Sequence, residues 1–186
     1  MSTFVLASQS PRRKQLLEWA EIDFEIIVHP TDESYPDGLE PVAVAEYIAQ
    51  EKAAAVSSSH QTKTVIAADT IVVLDKEIIG KPKDREDALQ ILTKLSGKKH
   101  QVITGVCIRR GAQETLFSDV TSVQFHSLSA EQIQFYVDKY KPYDKAGAYA
   151  IQEWIGVIGI KSIQGDFYNV MGLPVSRVVQ ALRDFA

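Results

Sequence analysis

The segment of residues 8–13, Ser-Gln-Ser-Pro-Arg-Arg, constrains the fold of this chain more than any other part of its sequence. It follows the apolar stretch of residues 4–7 and precedes an apolar pattern with helical spacing. Ser10 is a favourable N-cap, and Pro11 suits the first position of a helix. The segment therefore predicts a strand, a tight loop and the start of a helix.

Two arginines lie in the first turn of this predicted helix, where basic side chains are unfavourable. Because that end of a helix carries a partial positive charge, Arg12 and Arg13 oppose the macrodipole unless an anion binds there. The helix N–H groups, the hydroxyls of Ser8 and Ser10 and two guanidinium groups together suit a chain of phosphates. The alternative is that both arginines simply extend into water. For a single arginine that would be the better explanation. The combination favours a polyphosphate site.

The length and composition of the chain are typical of a globular protein. Its 186 residues can bury a proper core, and we expect a single domain over residues 1–186, with room for a division into two lobes. Hydrophobic residues make up 45% of the chain, and no apolar run approaches the length of a membrane span. Residues 1–4 do not resemble a signal peptide, and Cys107 is the only cysteine, which together indicate a reducing cytoplasm. Cys107 lies in an apolar run and is expected to be a small buried hydrophobe.

The formal net charge of −4 leaves no broad basic surface, which argues against binding to duplex nucleic acid. Binding of single strands would require basic stripes interleaved with aromatic residues, and the sequence has none. Positive charge must therefore be concentrated locally, and we expect a small-molecule partner rather than a nucleic acid or a membrane.

Helical and strand patterns are mixed along the chain. The predicted helices have capping signals or an apolar face: from Pro41 to about Val56, from the Asp84 cap to Gly97, from the Ser129 and Gln132 capping box to before Pro142, and through Val175, Val178, Val179 and Leu182 after Pro174. The predicted strands form two hairpins, 64–74 with 78–79 around Asp75 and Lys76, and 101–108 with 115–125 around Gly111. Residues 57–60 are expected to form a loop. The mixture predicts an α/β (mixed α+β) fold with helices packed on a sheet.

Asp69 interrupts an apolar run that otherwise has the pattern of a buried strand. An unpaired carboxylate there would cost roughly several kcal/mol or stay protonated, so Asp69 requires a cation, a hydrogen-bond donor or a strand-end position. One interpretation is a general base at a functional site. The other is a carboxylate that accepts hydrogen bonds from backbone N–H groups at a β-bulge.

Candidate metal ligands and further cations are scattered along the chain. Asp32 and Glu33 form an acidic pair on a loop, and Lys52 and Lys81 are isolated cations. Hard oxygen ligands such as Glu33 and Asp69 suit Mg²⁺, which is commonly shared with substrate phosphates, although solvation explains each residue alone equally well. The sequence has neither the His and Cys spacing of a zinc site nor a Gly-rich loop that ends in Gly-Lys-Ser/Thr. Arginine, lysine and helix N–H groups must therefore hold any phosphate.

Taken in chain order, several short motifs resemble the Maf family of nucleotide pyrophosphatases. They are residues 8–13, 32–33 (Asp-Glu), 51–52 (Glu-Lys), 68–70 (Ala-Asp-Thr), 81–82 (Lys-Pro), 144–152 (Asp-Lys-Ala-Gly-Ala-Tyr-Ala-Ile-Gln) and 169–174 (Asn-Val-Met-Gly-Leu-Pro). Their number and order make the resemblance more specific than any single motif. It implies a mixed twisted sheet with flanking helices and two lobes around a cleft, similar to inosine triphosphate pyrophosphatases, and usually a homodimer.

The resemblance also implies a reaction in which a nucleoside triphosphate is hydrolysed between its α and β phosphates, with Mg²⁺ or Mn²⁺ as the cofactor. Carried onto this chain, the metal ligands are Glu33 and Asp69, and Asp69 is also the general base that activates water. The side chains that would neutralise the triphosphate and the charge of the transition state are Ser8, Arg12, Arg13, Lys52 and Lys81.

Three positions indicate the branch of the family. The branch that acts on 7-methyl-GTP typically carries Trp, Gln and Glu where this chain has Arg12, Thr70 and Gln152. The chain therefore resembles the dTTP/UTP branch, with CTP or a modified pyrimidine nucleotide as alternative substrates. The amide of Gln152 can donate to O4 and accept from N3–H of uracil or thymine, which a carboxylate could only half satisfy.

Two departures from the family pattern follow these motifs. Residues 165–168 are Gly-Asp-Phe-Tyr where family members usually have a Ser-Tyr pair after the glycine, which could shift base selectivity. Trp154 stands where small residues are common, and we expect it to pack rather than to stack on a base. A different kind of function is a nucleotide-sensing regulator that turns triphosphate over slowly, but the retained Glu33 and Asp69 argue against it.

Overall fold

Strands and helices alternate along most of the chain. The computed structural model describes residues 4–185. The strands are β1 (Phe4–Leu6), β2 (Phe24–Ile26), β3 (Thr64–Leu74), β4 (Glu77–Ile79), β5 (Lys99–Arg110), β6 (Gln113–Phe125) and β7 (Ile160–Gln164). The α-helices are α1 (Pro11–Trp19), α2 (Pro41–Ser57), α3 (Arg85–Leu95), α4 (Ala130–Tyr140), α5 (Trp154–Gly159), α6 (Phe167–Met171) and α7 (Val175–Leu182), with 3₁₀ helices at Ala146–Ala148 and Arg183–Phe185.

The strands form a mixed sheet. They are hydrogen-bonded in the order β2-β1-β3-β5-β6-β7, and β4 pairs with β3. β1 is parallel to β2 and to β3, whereas β4 is antiparallel to β3 and β7 is antiparallel to β6. Parallel and antiparallel pairs in one sheet, with helices between the strands, confirm the predicted mixed α/β class.

The described chain divides into two compact units. Unit 1 comprises residues 4–70, Thr104–Asp119 and 172–185, and unit 2 comprises Ile71–Ile103 and Val120–Met171. Strands β3, β5 and β6 therefore each contribute residues to both units.

The core of unit 1 contains residues of α2 and of the sheet. Val65 and Ala67 of β3 belong to one buried cluster with Ala49 and Ala53 of α2 and with Cys107 of β5. Burial, together with the nearby Glu114, raises the pKa of the Cys107 thiol to about 12. Cys107 is thus the small buried hydrophobe that the sequence predicts.

Gly105 of β5 lets α2 come unusually close to the sheet. A Cβ added at Gly105 would lie 2.3 Å from the carbonyl carbon and oxygen of Ala45 and 2.5 Å from the backbone nitrogen of Glu46. Only a residue without a side chain fits at this contact, so the position of α2 on β5 is fixed there.

Unit 2 contains two capped helices that pack against each other, α3 and α4. The carboxylate of Asp84 accepts a hydrogen bond from the Asp87 N–H at 2.9 Å and caps α3. Ser129 and Gln132 form the predicted capping box of α4, which ends in the left-handed residue Lys141. These signals are local, and the structure confirms the predicted helices.

Some boundaries and exposures differ from the predictions. β5 and β6 are longer than expected because the chain reverses within residues 111–112, where Gly111 has a φ of 60°. Ser57 was expected in a loop but belongs to the last turn of α2. In α7, Val178 and Leu182 are buried whereas Val179 is 36% exposed, so the apolar face of this helix is narrower than predicted.

No helix within residues 4–185 combines the length and the apolar character that a membrane crossing requires. Residues 1–3, part of the stretch that does not resemble a signal peptide, lie outside the described residues.

Candidate active site

The centre of the candidate site is a lysine held between two carboxylates. The Nζ atom of Lys52 lies 2.7 Å from Oε1 of Glu33 and 2.7 Å from Oδ1 of Asp69. The side chains of Lys52 and Asp69 are only 16% and 13% exposed, whereas that of Glu33 is 49% exposed. We call these three residues the acidic pair with its lysine. Its ion pairs join the loop before α2, helix α2 and strand β3.

Strand alternation explains why Asp69 meets α2. Residues i, i+2 and i+4 of a strand line one face, and Val65, Ala67 and Asp69 follow this spacing in β3. The first two belong to the buried cluster that includes α2 residues, and Asp69 extends the same face to Lys52. Of the three possibilities that the sequence leaves for Asp69, the structure supplies a cation, Lys52, whereas Asp69 lies inside β3 and not at its end.

Arg13 organises a second group of polar side chains, which we call the arginine network. Its Nε donates to the carbonyl oxygen of Gly172 at 2.7 Å, while Nη1 donates to Oγ of Ser8 at 3.1 Å and Nη2 to Oγ1 of Thr70 at 3.0 Å. Three of the five guanidinium N–H groups are thereby used, and each terminal nitrogen keeps one for a ligand. Arg13 can hold its neighbours and still bind an oxyanion.

The two groups are electrostatically coupled. Burial lowers the pKa of Arg13, the negative charge of Asp69 opposes that shift, Arg12 adds to the lowering and Glu33 again opposes it. The Asp69–Thr70 peptide bond connects the acidic pair with its lysine to the arginine network. Consecutive strand residues thus supply one charged side chain to the first group and one hydroxyl to the second.

The start of α1 has the predicted geometry. The Oγ of Ser10 accepts a hydrogen bond from the Arg13 N–H at 3.4 Å, and Pro11 is the first helical residue. The Ser10 N–H donates to Oγ of Ser8 at 3.2 Å. Ser8, which is buried, therefore contacts both the helix cap and the Arg13 guanidinium.

Two members of the arginine network were not predicted as site residues. Thr104 of β5 lies with its Oγ1 2.9 Å from Oγ1 of Thr70. Gly172 supplies the carbonyl that accepts from Arg13, and its φ of 116° favours glycine. The signal available in the sequence for Thr104 was a hydroxyl residue within the apolar run of residues 102–108, and the motif of residues 169–174 contained Gly172 without suggesting its role.

Two of the remaining predicted residues lie in unit 2. Lys81 is exposed just after β4, and Gln152 is exposed in the turn before α5. The arginine network contains the predicted residues Ser8, Arg13 and Thr70. The acidic pair with its lysine contains Glu33, Lys52 and Asp69. Arg12 is half-buried next to Arg13. Trp154 packs edge-to-face on Phe135 with ring centroids 4.8 Å apart, as expected for a packing residue.

Comparison with known sequences identifies the family of this chain. The family model described as Maf-like protein matches residues 3–185. The chain belongs to the Maf family. It is 50% identical over 181 residues to a dTTP/UTP pyrophosphatase of Bacteroides thetaiotaomicron, covering 96% of this chain and 94% of that protein. It is 51% identical, with the same coverage, to a dTTP/UTP pyrophosphatase of Phocaeicola vulgatus.

Comparison with solved structures supports the fold. The Staphylococcus aureus Ham1 protein has a TM-score of 0.56 to this chain at 18% identity, and the match covers 98% of both chains. At that identity the likeness concerns the fold alone. The Maf family chain described here shares that fold and carries the acidic pair with its lysine on it.

The donor set of this Maf family chain fits a hard divalent cation shared with a substrate. Glu33 and Asp69 each place a carboxylate oxygen 2.7 Å from the same ammonium group, and Mg²⁺ is typically bound by one or two carboxylates together with substrate phosphates. Within residues 4–185, no group of three or more His, Cys, Asp or Glu residues is arranged to hold a metal by itself. Asp32 and Glu51, the sequence neighbours of Glu33 and Lys52, instead line a pocket of about 280 Å³ in unit 1.

Proposed function

We propose that this protein hydrolyses dTTP and UTP to the nucleoside monophosphate and pyrophosphate. The observation that carries the proposal is Asp69, held at 2.7 Å by Lys52 and bonded through the backbone to Thr70 in the arginine network. A carboxylate fixed beside a cluster of cations can accept a proton from water next to a bound polyphosphate. The Maf family relatives named dTTP/UTP pyrophosphatase support this choice.

In the proposed reaction, a water molecule attacks the α-phosphorus as its proton passes to the carboxylate of Asp69. The bond between the α-phosphorus and the bridging oxygen breaks, and pyrophosphate leaves with that oxygen. Lys52 orients Asp69, and the free N–H groups of Arg13 bind phosphate oxygens as negative charge moves to the leaving group. We assign further phosphate contacts to Ser8, Arg12 and Lys81.

Glu33 and Asp69 are the proposed holders of Mg²⁺ or Mn²⁺. When bound, such a cation supplies charge neutralisation and polarises the phosphate oxygens. Glu33, more exposed than Asp69, can change its contacts when a nucleotide enters, while Asp69 keeps its place in β3.

Base selection is assigned to Gln152, with Arg12 and Thr70 marking the pyrimidine branch. An amide can pair with both O4 and N3–H of uracil or thymine, and CTP or a modified pyrimidine nucleotide would be the alternative substrate. We further propose that the protein acts in the cytoplasm as a homodimer of single-domain subunits, on a small molecule and without a nucleic acid or membrane partner.

Release of pyrophosphate from dTTP, UTP, CTP, GTP and 7-methyl-GTP, with Mg²⁺ or Mn²⁺, tests this function. The native chain is compared with Asp69→Asn, which keeps the shape of the side chain and removes its base. We expect turnover of dTTP and UTP, and a loss of about a hundredfold or more in kcat for Asp69→Asn. Asp75→Asn is the matched control, because Asp75 is exposed in the turn that follows the same strand.

Two outcomes would contradict the proposal. Equal activity of Asp69→Asn and the native chain would remove Asp69 as the base. Binding of nucleotides without any turnover would favour the nucleotide-sensing regulator instead.

A further inference from the structure

The turn that carries Gln152 is tied down inside unit 2. Residues 150–153 form the turn, and the Glu153 N–H donates to the Ala150 carbonyl oxygen at 3.1 Å. Gln152 is the third residue of this turn and is exposed. An exposed amide on a free loop would adopt many orientations, so the contacts that hold the turn determine what the amide can recognise.

One buried phenol bridges the two ends of the turn. Tyr136 of α4 has no exposed surface, and its oxygen accepts the Ala150 N–H at 3.1 Å. The same hydroxyl donates to Oε2 of Glu153. Tyr136 therefore bonds to the first and fourth residues of a four-residue turn whose third residue is Gln152.

A nearly buried lysine supports the far end of this bridge. The Nζ of Lys145 lies 3.7 Å from Oε1 of Glu153 and 2.7 Å from Oδ1 of Asp144. The Lys145 side chain is only 10% exposed, so its charge acts on Glu153 with little screening by water. The two oxygens of the Glu153 carboxylate thus have different partners, a hydroxyl donor at Oε2 and an ammonium group near Oε1.

Helix α5 lies very close to the backbone of the turn. A Cβ added at Gly156 would lie 1.7 Å from the carbonyl oxygen of Ile151, so α5 packs directly against the turn. The Gly156 N–H also donates to the Glu153 carbonyl oxygen at 2.9 Å. Ile151, the residue before Gln152, is consequently held against the backbone of α5.

We propose that Tyr136 is a positioning residue for base selection, which acts by holding the Ala150 and Glu153 ends of the turn and so orienting Gln152. This inference rests on the proposed function, in which Gln152 pairs with the base. Holding both ends of the turn fixes the Cα–Cβ bond of Gln152 and so the place from which its amide reaches O4 and N3–H of the base, whereas a displaced turn would break this pairing. Tyr136 itself does not touch the nucleotide.

The test compares kcat/KM for dTTP and GTP in the native chain, Tyr136→Phe, Gln152→Ala and the double variant. We expect Tyr136→Phe to lower the dTTP-over-GTP ratio on the order of tenfold, mainly by raising KM for dTTP while kcat stays within about twofold. In the Gln152→Ala background the same substitution should change the ratio by less than about twofold, because there is no amide left to orient. A purely structural role of Tyr136 would instead give the same change in both backgrounds.

Tyr140→Phe is the matched control, since Tyr140 lies on the same helix and stacks on Tyr136 with ring centroids 5.0 Å apart. It should leave the dTTP-over-GTP ratio unchanged.

Glu153→Ala is the second variant, because it removes the other end of the bridge without altering the buried ring of Tyr136. It should lower the dTTP-over-GTP ratio, as Tyr136→Phe does.

The outcomes separate the inference from the function on which it rests. A native chain without preference for pyrimidines would contradict the proposed function and the role of Gln152. A selective native chain, with selectivity lost in Gln152→Ala and kept in both Tyr136→Phe and Glu153→Ala, would overturn the inference about Tyr136 alone.

Discussion

The imidazole of His100 lies in a buried aromatic cluster of unit 2. It is 2% exposed, meets the rings of Phe125 and Tyr149 edge-on, and has Nε2 2.7 Å from the Tyr149 hydroxyl. Its Nδ1 is buried and has no hydrogen-bond partner among the described residues. Burial lowers the pKa of His100 from 6.5 to about 4, because the charged form loses its hydration.

We therefore expect His100 to make the protein less stable in acid. Between pH 6.5 and about 4 the unfolded chain binds a proton at this residue and the folded chain does not, so stability falls as the pH is lowered through this window. The full contribution is present above pH 6.5 and amounts to about 3 kcal/mol. Urea unfolding at several pH values measures it, with His100→Gln as the comparison. Equal pH slopes for both chains between pH 4.5 and 6.5 would contradict the prediction.

At the residue scale, the sequence predicts what is local and misses what packing decides. The caps of α3 and α4 depend on neighbouring residues, and both were predicted from their spacing. It could also be predicted that Asp69 needs a compensating partner or a strand-end position, since this follows from the energetics of a carboxylate in an apolar strand. Its partner could not, because Lys52 lies 17 residues away and reaches Asp69 only through the docking of α2. The role of Thr104 was hidden for the same reason.

At the scale of elements, Gly105 determines where α2 lies on the sheet. Lys52 is two helical turns beyond Ala45, about 10 Å along α2, so the contact at Gly105 also sets the position of Lys52. We expect Gly105→Ala to lower the free energy of unfolding by about 3 kcal/mol, because the new methyl group meets helix backbone that cannot rotate away. Chemical denaturation measures this change.

Gly80→Ala is the control, since a Cβ there meets nothing within 4 Å and Gly80 has no left-handed φ. A Gly105→Ala protein as stable as Gly80→Ala would show that α2 can move away from β5 at little cost.

At the scale of the whole molecule, three strands pass from one unit to the other. Because β3, β5 and β6 each contribute to both units, neither unit is an independent stretch of chain, and we expect one cooperative unfolding transition. The two tryptophans report on it separately, since Trp19 belongs to unit 1 and Trp154 to unit 2. Fluorescence of Trp19→Phe and Trp154→Phe should give the same denaturation midpoint, once each is corrected for its own change in stability by circular dichroism. Midpoints that differ between the two probes would indicate separate domains.

The fold class could be predicted from the mixture of helices and hairpins, whereas the strand order and the segments that make up each unit could not. Both depend on pairings between distant segments, such as β1 with β3, for which the sequence carries no local signal.

Asp69 and Thr70 restrict insertions and deletions in strand β3. Neighbouring strand residues face opposite sides, so Asp69 reaches Lys52 while Thr70 reaches Arg13. Inserting or deleting one codon between Thr64 and Asp69 would exchange the two faces and separate both side chains from their partners. Residues in this part of β3 can be substituted, but their number cannot change, because Asp69 and Thr70 must each face their own group of partners.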